Sequence, residues 1–161
     1  MENDKAMYTK LLTPPILYFP HGELASSPGN PVLDLTGGKF GPFAGQIIVG
    51  DQTRSNIMHA NIEEVDGQYQ GAVFNMIDAL QSGAIRIHFA PDGALWIGQV
   101  GRGWRAVGGK EYGLEVIRWD GKTTPFELYS MNITKTGFKV TFTSPATLES
   151  LKANGAFSSK S

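Results

Sequence analysis

The chain has 161 residues, enough for one domain with a sizeable core, and nothing in its length calls for a second. With 41% hydrophobic and 18% charged residues, 20 Gly and 9 Pro, the composition is that of a loop-rich β protein rather than a helical or disordered one. A net charge of -1 with both signs interspersed disfavours nucleic acid and anionic membranes as partners, and the lack of Cys excludes disulfides, thiolate metal sites and Cys nucleophiles.

Residues 1–14 read as a polar lead-in; Pro14 and Pro15 then prevent helix and favour an extended chain. The lead-in carries no apolar signal-peptide core, and no run approaches the roughly 18 apolar residues of a membrane span. Residues 16–19, Ile-Leu-Tyr-Phe, predict a strand closed by Pro20, His21 and Gly22, and 26–31 is a loop. The Gly- and Pro-rich run 35–45 cannot be helical and is expected to wind across the end of a sheet.

From Gln46 the pattern becomes regular. Residues 47–49 predict a buried strand, 50–55 a polar loop, 56–65 an alternating strand, Asp66-Gly67 a hairpin turn and 69–76 its partner. One helical turn is expected over 77–83. Ile85, Ile87 and Phe89 alternate with Arg86 and His88, the signature of a half-buried strand. Pro91, Asp92 and Gly93 make a tight turn, because Pro presets φ, Asp bonds its own backbone and Gly supplies a positive φ. Leu95, Trp96 and Ile97 then predict a strand buried on both sides, emerging in the Gly-rich loop that holds Gly101, Arg102, Gly103 and Trp104.

A second cycle is visible here. Gly93, Leu95, Ile97 and Gly98 follow Gly45, Ile47, Val49 and Gly50 at a spacing of 48 residues, and Arg102 follows Arg54 at the same spacing. The turn Asp120-Gly121 follows Asp66-Gly67 at 54, so the extra residues fall around 106–112. Repeated strand, loop, strand, turn and strand is the signature of propeller blades. The fold expectation is therefore all-β: a partial β-propeller of about two to three antiparallel blades, with blades over 15–134. Open blade faces must then be covered by the chain's own early residues or by self-association, so a homo-oligomer is expected. Residues 135–161 predict one more strand pair, a short helix at 147–152 and a frayed tail.

The run Gly-Lys-Phe-Gly-Pro-Phe-Ala-Gly at 38–45, with Tyr-Gln-Gly-Ala at 69–72, Ala-Pro-Asp-Gly at 90–93, Gly-Arg-Gly-Trp at 101–104 and Trp-Asp-Gly at 119–121, resembles the late blades of glucose/sorbosone dehydrogenase-like proteins. That resemblance implies a six-bladed propeller family whose members oxidise sugars or alcohols with pyrroloquinoline quinone (PQQ) and calcium. It also implies a periplasmic or secreted location. The chain departs from the family in being too short for six blades, so activity by this chain alone is not expected.

Arg102 and Arg54 suit an anionic cofactor carboxylate, which a guanidinium binds bidentately, and Trp104 offers a flat face to a quinone or sugar ring. Asp51 and His21 are candidates for orienting a substrate hydroxyl. His88 and His59 both fall in the polar phase of alternating strands, and no His spacing suggests a metal site. The other reading of the same loops is a non-catalytic carbohydrate- or protein-binding β-module.

Overall fold

The computed structural model describes residues 13–101, 103, 105–147 and 149, and its elements are all strands. The first sheet is a four-stranded meander: β1 (Pro28–Leu33), β2 (Ile47–Asp51), β3 (Asn56–Val65) and β4 (Gln68–Ile77). The second holds β5 (Ala84–Phe89), β6 (Leu95–Val100) and β7 (Tyr112–Ile117), and the third pairs β8 (Leu128–Thr134) with β9 (Gly137–Phe142). Every ladder is antiparallel and joins strands consecutive in the chain. The expected all-β architecture is therefore present, as two unequal meanders and a hairpin.

Local chemistry explains the connections. Asp66 and Gly67 both take positive φ, 51° and 77°, the geometry of the two-residue turn that matches strand twist. At 90–93 the turn closes with Gly93 N donating to Ala90 O and Ala94 N donating to Asp92 Oδ1. The Gly-rich run crosses this turn: a Cβ on Gly93 would stand 2.4 Å from Lys39 Cβ, so only Gly lets the two loops touch.

The first and second sheets stack face to face. Ile48 and Ile57 of the first share one core with Ala84, Ile87, Leu95 and Ile97 of the second, and Phe40 and Phe43 extend it. Gly50 permits the close approach, since a Cβ there would lie 2.7 Å from Ala84 Cβ. On the other face of the first sheet, Val49 and Met58 pack against Ala25, with Phe19, Leu24 and Val73 around them. Side-chain alternation along β2 thus feeds two layers: Ile47 and Val49 face the early chain, and Ile48 and Gly50 face the second sheet.

Several expectations are corrected. Residues 16–19 form no strand; this segment lies over the first sheet, where Leu17 reaches Gly71 and Phe19 reaches the core. No helical turn occupies 77–83, because β4 continues to Ile77 and Ala79 then takes a φ of 62°. The β6 strand is buried on one side only, with Leu95 and Ile97 inward and Trp96 40% exposed. In β5 a bulge between Ala84 and Arg86 turns Ile85 outward and leaves Ala84 and Ile87 in the core. After β7 the Asp120-Gly121 turn leads into irregular chain, so among the described residues the second sheet has no fourth strand. The expected strand pair near 135 is β8 and β9, while the helix at 147–152 lies outside the described residues except for Thr147 and Glu149.

Candidate functional site

The loops singled out in the sequence meet at one end of the stacked sheets. Asp51 ends β2, is fully buried, and accepts from Ser26 N and Ser27 N at Oδ2 and from Arg54 N at Oδ1. Three charge-assisted bonds to backbone make it the clamp that ties the 21–27 turn to the β2–β3 loop. Both oxygens are engaged within the fold. Arg54 is exposed beside it, and His21 is exposed on a tight turn held by Leu24 N and Ala25 N, which donate to Pro20 O.

The same end is locked to the second sheet. Gln52 Nε2 donates to Val100 O, Val107 N to Thr53 O and Gly108 N to Ser55 Oγ. Asp51, Arg54 and the His21 turn therefore come together with the loop after β6. Arg102 and Trp104 belong to that loop but lie outside the described residues. Among the described residues no three His, Cys, Asp or Glu side chains converge on a metal position. Among them, too, no helix is long and apolar enough to cross a membrane.

A second place in the fold stands out by its chemistry. His59, expected on the polar side of its strand, is fully buried and sits between Phe43 and Phe74, with ring centroids 4.6 and 5.2 Å away. The first half of β3 is buried on both faces, so alternation there does not sort polar from apolar. Gln46 Nε2 donates to Tyr129 O at 2.8 Å, which fixes the amide so that Oε1 faces His59 Nδ1 at 2.5 Å. The proton therefore sits on Nδ1, and Nε2 is a buried acceptor with no partner. Burial lowers the His59 pKa from 6.5 to about 4, against the opposing pull of the Leu128 backbone on the charged form.

Gln46 also forms part of a groove of about 450 Å³ at the end of β2 opposite Asp51, between the first sheet and β8. Its polar residues include Gln46, Asn61, Ser130 and Asn132, its apolar ones Leu33, Ile47 and Ile62, and among the described residues no charged one lines it. Asn132 is anchored by its Nδ2, which donates to Glu63 Oε2; Glu63 also accepts from Gln70 and Ile133 N, and these bonds hold its carboxyl below the usual range. Asn61 is different. Its Nδ2 turns to the neighbouring Ile62 O at 3.3 Å, and its Oδ1 is buried without a hydrogen-bond partner. Little in the sequence points to this groove, since Gln46 and Asn61 lie far apart from Ser130 and Asn132 and only the packing of β8 on β3 and β4 joins them.

Comparison of the chain with known protein families, with curated proteins and with solved structures finds no match among any of them.

Proposed function

We propose that this chain is a non-catalytic carbohydrate-binding β-module whose ligand is a neutral, hydroxyl-rich molecule held in the groove between the first sheet and β8. The observation that carries the reading is the lining of the groove, where Gln46, Asn61, Ser130 and Asn132 stand beside aliphatic side chains with no charged one among the described residues, and the Asn61 amide has an Oδ1 without a hydrogen-bond partner. Leaving such an atom unpaired costs about 1–3 kcal/mol, so an Asn61 amide that turns toward a sugar hydroxyl gains a donor. The lining of amides and hydroxyls alternating with aliphatic edges suits a ring that is polar at its rim and apolar on its face. Titration with neutral mono- and disaccharides followed by calorimetry tests this. Saturable binding is expected, with Asn61→Ala weakening it about tenfold, the equivalent of one hydrogen bond. Absence of binding across such a panel, or affinity indifferent to Asn61→Ala, would contradict it.

A second reading, a piece of a quinone-dependent sugar or alcohol dehydrogenase-like propeller, is favoured by the contact of β1 with β5, the first strands of two successive sheets, as radial blades require. Its site would be the loop end with Arg54, Arg102 and Trp104 toward PQQ and Asp51 and His21 toward substrate, in a periplasmic or secreted protein. PQQ titrated with and without calcium separates the two readings: tight, calcium-dependent binding belongs to this one alone.

A further inference from the structure

The last residues of β4 and β7, Ile77 and Ile117, line one wall of another cavity, of about 230 Å³, which shares no lining residue with the groove beside β8. Phe40, Phe43 and Met76 supply more of its lining, and all of these belong to the main core or pack against it, so the cavity opens directly onto apolar side chains. Trp119 closes one side and is fixed in place. Its Nε1 donates to Thr123 O at 2.7 Å, and Gly41 packs against the indole, where a Cβ would stand 3.6 Å from Trp119 Cγ.

Two charged residues, Arg118 and Glu127, also line this space, and only the first is neutralised. Arg118 Nη2 pairs with Asp92 Oδ2 at 3.0 Å. Glu127 is half-buried, and among the described residues nothing pairs with its carboxylate. Its bonds are made by its backbone, where Glu127 N donates to Thr143 Oγ1 at 2.9 Å and Thr143 N donates to Glu127 O at 3.0 Å. Burial raises the Glu127 carboxyl above its ordinary value of 4.5, with no nearby cation or donor opposing it. A carboxylate in apolar surroundings without a counter-charge is destabilising, and a bound cation relieves it.

We propose that this cavity binds a small arylalkyl ammonium ion, with its ring against Phe40, Met76 and Trp119 and its charged nitrogen on Glu127. Three features select that class. The volume lies below the about 300–1,000 Å³ of drug-sized sites, so the occupant is small. Aromatic and aliphatic walls favour a ring. The uncompensated charge is negative, so an anion is repelled and a neutral ring forgoes the charge-assisted bond. Thr143 holds the Glu127 backbone and Thr123 holds the Trp119 indole before any ligand arrives, so binding has little left to order.

Phenethylamine, phenylethanol and phenylpropionate share one ring and chain and differ in charge, so their titration into nitrogen-15 labelled protein at neutral pH tests the assignment. The amine should shift the amides of Ile77, Ile117, Trp119 and Glu127 saturably, with a dissociation constant of about 0.1–1 mM for so few ligand atoms. The alcohol should bind at least about tenfold more weakly, and the acid not at all. Glu127→Gln should weaken the amine at least about tenfold and leave the alcohol's binding unchanged. Its circular dichroism should match the native protein's, because the carboxylate it replaces has no partner within the fold. Glu64→Gln, which alters an exposed carboxylate on β3, should change neither ligand's binding. Equal affinity for amine and alcohol, equal effects of the two substitutions, or no shift at these amides up to about 10 mM amine would overturn the inference.

Discussion

Burial of His59 between Phe43 and Phe74 sets how the protein responds to acid. The unfolded chain takes up a proton on this side chain near pH 6.5 and the folded one only near pH 4, so between these values the unfolded state holds more protons. Stability from this residue is thus fully present above pH 6.5 and is lost as the pH falls toward 4, on the order of 3 kcal/mol across the window. The lowered carboxyls of Glu63, Asp92 and Asp120 give up their contributions mainly below that range, since each is held under its ordinary value of 4.5 or 3.8. Urea midpoints measured from pH 7.5 to 4.5 should fall steadily in the native protein. In His59→Phe the slope should be flatter, on a baseline lowered by about 1–3 kcal/mol because Gln46 Oε1 loses its donor. An identical slope in the two proteins would mean that His59 is not the titrating group. Nothing at the level of the residue announced this: His59 stands between Met58 and Ala60, and alternation assigns it to solvent. What decides its burial is Phe43, supplied by a loop that the sequence shows only as rich in Gly and Pro.

At the scale of elements, strands and turns were legible wherever backbone chemistry is local. The 56–65 strand, the Asp66-Gly67 turn and the Pro91 to Gly93 turn stand as expected, although the strand alternates only in its second half, since strand-forming side chains and positive φ are properties of a few adjacent residues. Failures occur where a long-range partner decides. Residues 16–19 have strand-forming side chains but no strand to pair with, so they serve as a cover for Val49 and Met58. The bulge in β5 is equally invisible, because it answers the approach of Ala84 to Gly50. The two glycines of the repeat make this testable. Gly50→Ala forces the sheets apart and should cost about 1–3 kcal/mol, the usual penalty of overpacking. Gly98→Ala meets open space and should be neutral or stabilising by up to about 1 kcal/mol, since alanine restricts the unfolded chain. Thermal or urea unfolding of the pair checks both signs; equal destabilisation would remove the distinction between a filled and an empty layer.

For the whole molecule, the all-β class was legible in the sequence but not how many strands each sheet would hold. The second sheet stops at three because the chain after Asp120 turns away: Trp119 Nε1 and the Asp120 carboxylate bind Thr123 and Lys122 in a local knot instead of leading into a strand. The chain then returns to the first sheet, where β8 closes one wall of the groove. Candidate ligand contacts are thereby split between two ends. The loop end, read from Asp51, Arg54 and the neighbouring glycines, is tied together chiefly by bonds within the fold. The groove, built from residues distant in sequence, has the uncharged lining of amides and hydroxyls that suits a sugar. The most direct test of the account is a map of backbone amide shifts in a nitrogen-15 labelled sample titrated with a neutral sugar. Shifts concentrated at Gly45, Gln46, Asn61, Ser130 and Asn132, and suppressed by Asn61→Ala, are the predicted result. Shifts concentrated at Arg54, Gly101 and Glu111, or none at saturating sugar, would contradict it.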